Sequence, residues 1–174
     1  GNHGTDAVTV KLDKTRPTIM PSLSGAAGSN GWYRSTVVAT FGCADPGGVA
    51  SGIATCTGPQ TLADGQSATG KAVDRADNSA SATAGPVMVD VDKPTITLTG
   101  AQDGGVYTLG AVPPATCAAV DVGSSGLDGG CSVVITGGPT TGPGVYAFTA
   151  TAKDIAGNVA SVSGTYTVRG TTTQ

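Results

Sequence analysis

Apolar and polar residues alternate along several short stretches of the chain, with the period of two that a β-strand produces. The clearest stretch has four apolar residues of one parity, Tyr146, Phe148, Ala150 and Ala152. The next stretch has the same pattern in Ala160, Val162, Tyr166 and Val168, and an earlier one has it in Val37, Ala39, Phe41 and Cys43. Each predicts a strand with one buried face, and Gly, Pro, Asn and Asp residues punctuate the intervals.

The composition limits the fold and the partners. The 174 residues include 28 Gly, only 4% are aromatic, and all twelve acidic residues are Asp. Such a chain is a poor helix former, and its buried strand faces carry small side chains, which predicts a thin core. The net charge of −3 with no cluster of Lys or Arg argues against a nucleic-acid partner, and no apolar run approaches the length needed for membrane insertion.

The chain contains an internal repeat. The run Asp13-Lys14-Thr15-Arg16-Pro17-Thr18-Ile19 recurs as Asp92-Lys93-Pro94-Thr95-Ile96, with Pro17 and Pro94 77 positions apart. Two units of this kind predict an all-β chain of two tandem sandwiches. The expected divisions are residues 1–12, a final strand or remnant of a preceding repeat; 13–91, the first domain; 92–169, the second domain; and 170–174, a tail. We therefore expect the chain to be part of a longer array.

The four cysteines allow three pairings. Cys43 and Cys56 in the first unit correspond to Cys117 and Cys131 in the second, so the repeat predicts one disulfide in each. A structural zinc site is the alternative, but two Cys per unit and a single His in the whole chain supply too few soft ligands. Disulfides predict an oxidising, extracellular location.

Longer runs of the sequence carry a resemblance to a known family. They are residues 30–38 (NGWYRSTVV), 51–53 (SGI) and 72–78 (AVDRADN), matched later by 107–110 (YTLG), 125–127 (SGL) and 152–158 (AKDIAGN). The chain resembles the bacterial Ig-like repeats of surface and secreted proteins, although it has Asp77 where the family usually has Gly and lacks the Trp in its second unit. The resemblance implies immunoglobulin-like sandwiches used in tandem as a spacer or adhesive stalk.

The expected function is a non-catalytic structural or adhesive module of a secreted, cell-surface or virion-surface protein. Its partners would be neighbouring repeats of the same parent chain, and a surface glycan or protein. One alternative is a carbohydrate-binding accessory module. Another is a filament or virion coat subunit that exchanges the strand carrying Val8, Val10 and Leu12.

Two aspartates are the strongest candidates for a structural or metal-binding site. Strand parity places Asp74 and Asp154 inside, where an unpaired charge is costly. We favour a structural turn cap, formed with Asn78 in the first unit and Asn158 in the second, and no cofactor. The alternative is calcium, held by Asp45 with Asp74 and by Asp121 with Asp154. It ranks second because calcium commonly takes more carboxylates, often including a bidentate Glu.

Other polar and aromatic residues have simpler interpretations. Asp90 and Asp92 could hold a cation that stiffens the joint between the units, but beside Lys93 they are expected to form a solvated turn. Trp32 and Tyr33 could stack on a sugar ring, but Tyr107 repeats the position of Tyr33, which favours packing. His3 is the only histidine, so no Ser-His-Asp arrangement is expected and the chain is not predicted to be an enzyme.

Overall fold

All regular secondary structure in the described residues is β-strand. The computed structural model describes residues 8–139 and 141–171. The strands, in chain order, are β1 (Thr18–Ser24), β2 (Trp32–Tyr33), β3 (Val37–Ala44), β4 (Ile53–Cys56), β5 (Gln60–Leu62), β6 (Ala68–Asp74), β7 (Ser79–Ala84), β8 (Met88–Val89), β9 (Thr95–Thr99), β10 (Gly105–Thr108), β11 (Thr116–Val120), β12 (Ser132–Gly137), β13 (Gly144–Lys153) and β14 (Val159–Arg169). The described part of the chain contains no helix that could cross a membrane.

The chain divides into two units that do not follow the repeat throughout. The first unit holds the described residues up to Ser24 together with Val37–Val87. The second holds Met88 onward and also the segment Gly25–Thr36. Within the second unit, β2 from that segment pairs in parallel with β8, whereas the sequence places residues 25–36 in a domain spanning 13–91.

The first unit is built from two three-stranded antiparallel sheets. One has the order β1-β3-β5 and the other β4-β6-β7. The predicted stripe on β3 points inward, with Val37 and Ala39 fully buried and Phe41 nearly so. Three of the five remaining buried hydrophobic residues are alanine, which confirms the expectation of a core lined by small side chains: Leu62, Ala68, Ala72, Ala84 and Val87.

A glycine makes room for the one aromatic side chain in this core. The ring of Phe41 lies against Gly70 of β6, and a Cβ built on Gly70 would overlap the ring carbons. The absence of a side chain at Gly70 therefore lets the ring fill the space between the strands.

We expect Gly70→Ala to destabilise the first unit by about 2 kcal/mol, because the added methyl must displace a ring in a packed interior. Gly42→Ala is the matched control. Gly42 lies on the neighbouring strand β3, and its nearest neighbour to an added Cβ is the Met20 carbonyl at 3.8 Å. Urea denaturation followed by circular dichroism measures both variants. Equal losses of unfolding free energy would contradict this account of Gly70.

The second unit has a four-stranded sheet of order β10-β14-β13-β12 and a two-stranded sheet of β11 and β9. Its main core cluster is formed by Ala101, Phe148, Tyr166 and Val168, with Leu98 of β9 packed against it. Tyr166 lies between two other tyrosines. Its ring stacks on Tyr146 with centroids 5.4 Å apart and meets Tyr107 edge-on at 5.8 Å.

One predicted inward face is only partly buried. Tyr166 and Val168 are buried, but Val162 is 39% exposed. The reason is the sheet edge: β10 pairs with β14 only from Tyr166 to Arg169, so the earlier half of β14 has β13 as its only partner among the described strands.

The predicted strand over residues 1–12 is not formed in its described part. Residues 8–12 have no regular structure, and Val8, Val10 and Leu12 are 84%, 80% and 64% exposed. Residues 1–7 lie outside the described residues. An alternating pattern forms a strand only where a partner supplies hydrogen bonds, and the described chain supplies none to residues 8–12.

Each unit contains one disulfide, with the pairing that the repeat predicts. Cys43 is bonded to Cys56 and Cys117 to Cys131, with Cα atoms 6.0 and 5.8 Å apart. No described cysteine is free, so these sulfurs are not available as metal ligands.

Candidate functional site

A buried aspartate closes the same turn in each unit. Asp74 is 0% exposed and accepts hydrogen bonds at Oδ1 from the amides of Ala76 (2.9 Å) and Asn78 (2.8 Å), and at Oδ2 from Asn78 Nδ2 (2.9 Å). Asp154 is equally buried and accepts two bonds of 2.7 Å, from the amide and Nδ2 of Asn158. These contacts are the turn caps that the inward parity of the two aspartates predicts.

The turns also show why Asp77 can stand where the second unit has Gly157. Asp77 has a φ of 64° and its counterpart Gly157 has a φ of 94°. Both lie in the left-handed region, which Asp tolerates better than most residues because its short side chain can bond locally. Asp77 and Gly157 therefore support the same kind of turn.

A second aspartate, which the sequence does not place at this turn, contacts the turn in each unit. The backbone carbonyl of Asp13 accepts a bond from Asn78 Nδ2 (3.3 Å), and that of Asp90 accepts one from Asn158 Nδ2 (3.1 Å). Asp90 is 2% exposed, so its expected place in a solvated turn is wrong. Asp92 is exposed. The structural counterpart of Asp13 is thus Asp90, in register with Pro17 and Pro94, and the match of Asp13 with Asp92 is a local misalignment.

A loop brings a third aspartate to each group. Asp45 accepts a bond from the Gly52 amide at Oδ2, and Asp121 accepts one from the Gly126 amide, both at 2.6 Å. Gly52 and Gly126 have φ values of 87° and 80°, a conformation that favours glycine. The residue before each glycine bonds the second aspartate. The amide of Ser51 donates to Asp13, and the amide of Ser125 donates to Asp90, both at 2.8 Å.

The result is one group of three carboxylates in each unit, defined here as the first cluster (Asp13, Asp45 and Asp74) and the second cluster (Asp90, Asp121 and Asp154). In each cluster, one oxygen from every residue lies within 4.8 Å of the others. The sequence pairs Asp45 with Asp74 and Asp121 with Asp154, and the structure brings both pairs together.

Hydrogen bonds lower the pKa of one carboxyl group in each cluster. The amides of Thr15 and Ser51 lower the pKa of Asp13. Burial acts to raise the pKa of Asp90, but hydrogen bonds from Ser125 and from neighbouring amides outweigh it, so this pKa is lowered too. These two carboxylates are therefore ionised near neutral pH.

Positive charge near the clusters differs between the units. Among the described residues the only ion pair is Lys153 with Asp128, which is exposed and outside both clusters. In the first unit, Lys11 and Arg75 line a shallow cleft together with Asp13. In the second unit the position of Arg75 is taken by Ile155, so the second cluster lacks the counterpart of that guanidinium.

Three oxygen atoms at the clusters have no hydrogen-bond partner although they are fully buried. They are Asp45 Oδ1, Ser51 Oγ and Ser125 Oγ. The side chain of Ser125 is oriented toward the Asp90 carboxylate and contributes to lowering its pKa, but it does not reach hydrogen-bond geometry. Ser125 as a whole is only 9% exposed. Buried polar atoms without partners are rare, and each calls for an explanation.

The aromatic candidates occupy structural positions. Trp32 and Tyr33 form β2, are partly buried, and pair with Met88 and Val89. The carbonyl of Tyr33 accepts the amide of Asp90 at 2.9 Å. Tyr107, predicted to match Tyr33, lies on β10, which also makes a parallel pair. His3 lies outside the described residues.

Comparison of the chain with family models, with curated proteins and with solved structures gives no match.

Proposed function

We propose that this chain is a non-catalytic structural module, an Ig-like tandem repeat of a secreted or surface protein that acts as a spacer or stalk. The observation that carries the proposal is duplication. Each unit has its own disulfide and its own capped turn, with Asp74 and Asp154 in matching hydrogen bonds. A feature that recurs in every unit and stabilises that unit is typical of a structural repeat. A catalytic site, in contrast, is needed only once in a chain.

The location and the partners follow from the same features. Two disulfides favour an oxidising environment outside the cell. In a stalk, the nearest partners are further repeats of the parent chain, and the ends of the array carry the groups that meet other molecules. Such a role requires resistance to extension more than a deep binding pocket.

Single-molecule stretching of the full chain tests this proposal. We expect two unfolding events, one for each unit, because each has a separate core and a separate disulfide. Reduction should lengthen each event by about 40 Å, the extended span of a chain segment with a sequence separation of 13 or 14, less the existing distance between the bonded cysteines.

Two results would count against a stalk. A single unfolding event would show that the units do not act as separate elements. Binding to a glycan array that is lost in Trp32→Ala, but kept in a Tyr166→Phe control, would favour a carbohydrate-binding module instead.

A further inference from the structure

We propose that each unit binds one calcium ion, held in the second unit by Asp90, Asp121 and Asp154 and in the first by Asp13, Asp45 and Asp74. This goes beyond the structural role and does not depend on it. The caps described above use only some of the lone pairs on these carboxylates, so a cap and a metal site can share the same side chains.

The spacing of the oxygens allows all three to bind one calcium ion. Calcium–oxygen distances are about 2.4 Å, so two ligands on opposite sides of the ion lie about 4.8 Å apart at most. All three carboxylate oxygens of each cluster fall within that separation. Magnesium, with distances of about 2.1 Å, retains several of its waters and is usually bound by only one or two carboxylates, whereas each cluster offers three.

Charge and burial call for a cation. Asp90 and Asp154 are 2% and 0% exposed, and the third member, Asp121, is partly buried. Like charges this close repel one another strongly in a site with little water. No ion pair within the described residues reaches the second cluster, and a divalent cation would balance most of its charge.

The buried oxygens without partners are the independent observation that points to a ligand. Ser125 Oγ faces the second cluster from a side chain that is nine-tenths buried. In the first cluster, Asp45 Oδ1 and Ser51 Oγ are also buried atoms without a partner, although both residues are partly exposed. A bound ion and its waters would supply the partners that these atoms lack.

The donor set selects the kind of metal. Every candidate ligand is an oxygen, and the described cysteines are all in disulfides, so a soft or nitrogen-seeking ion such as zinc is disfavoured. Three carboxylates, a hydroxyl and waters reach the six to eight oxygens that calcium takes. Lys11 and Arg75 lie near Asp13, and their charge should make the first site the weaker of the two.

Calorimetric titration of the full chain with CaCl₂, after treatment with EDTA and its removal, tests the proposal. We expect two calcium ions per chain, with the second unit filled first, and binding of MgCl₂ at least about tenfold weaker. Absence of calcium binding at millimolar concentration, or equal affinity for magnesium, would overturn it.

A pair of substitutions with the same change of charge locates the tighter site. Asp121→Asn removes one ligand charge and should weaken calcium binding at the second unit about tenfold or more. Asp128→Asn is the control, because Asp128 is exposed and outside the cluster; its effect should be below about twofold. Equal effects of the two variants would refute the assignment.

Terbium luminescence provides a second measurement of metal binding, one that does not rely on the heat of binding. Tyr33 is hydrogen-bonded through its carbonyl to Asp90, so excitation of its ring should sensitise Tb³⁺ bound in the second cluster. We expect emission that CaCl₂ displaces in the parent and in Asp128→Asn. Circular dichroism checks that Asp121→Asn is folded, and full emission from a folded Asp121→Asn would overturn the site.

The stretching experiment can be run in EDTA, so failure of calcium binding and failure of the structural role are distinguishable.

Discussion

Asp154→Ala is expected to lower the unfolding free energy of the second unit by about 3 kcal/mol, measured in EDTA so that metal binding does not contribute. The substitution leaves two buried donors, the amide and Nδ2 of Asn158, without the partners they have now. Each buried donor left unsatisfied costs on the order of 1–3 kcal/mol. Relief of repulsion from Asp90 and Asp121 offsets part of this cost.

Two further variants show which property of Asp154 matters. Asp154→Asn keeps one acceptor oxygen and removes the charge, so its loss should be smaller, about 1 kcal/mol. Asp128→Ala breaks only an exposed ion pair, with side chains 47% and 51% exposed, and should cost less than about 0.5 kcal/mol. If Asp154→Ala behaved like Asp128→Ala in urea denaturation, the cap would have no role in stability.

Removal of the second disulfide, in Cys117→Ala with Cys131→Ala, is expected to cost about 3 kcal/mol. The bond closes a loop with a sequence separation of 14 residues, and opening it restores conformational freedom to the unfolded chain. The only tryptophan, Trp32, belongs to the second unit, so its fluorescence in urea reports the transition of that unit.

The matched variant carries Cys43→Ala with Cys56→Ala, in the first unit. It should lower the stability seen by circular dichroism while leaving the midpoint of the Trp32 transition unchanged, because stability is expected to be local to each unit. A shift of the Trp32 midpoint as large as that caused by loss of Cys117 and Cys131 would show that the two units unfold together.

The features predicted well from the sequence depend on local pattern or on the repeat. Strand periodicity gave the all-β class, and the inward parity of Asp74 and Asp154 anticipated their burial. The cysteine pairing followed because each member has a counterpart in the other unit. These features need only a short window of sequence or an internal comparison.

The features that were missed depend on long-range contacts. Asp90 stands in a short polar junction, which resembles a solvated turn until Asn158, 68 residues later, is brought to its carbonyl. One signal was present: aligning Asp13 through Pro17 and Pro94 without a gap matches it to Asp90 rather than to Asp92. Ser51 and Ser125 are aligned correctly by the repeat, but only the fold shows that their hydroxyl oxygens are buried beside carboxylates.

The placement of Gly25–Thr36 in the second unit bears on how the chain folds as it leaves the ribosome. Asn30 Nδ2 donates to the carbonyl of Ile155, and the amide of Ser29 to that of Ala156. At translation speeds of about 5–20 residues per second, these partners emerge roughly 6–25 s after the segment does. During that interval residues 25–36 must wait for contacts that do not yet exist, while the strands on either side of them, β1 and β3, can already pair. The second unit is therefore completed late in biosynthesis, when the turn between its last two strands joins residues 25–36, which were synthesised early.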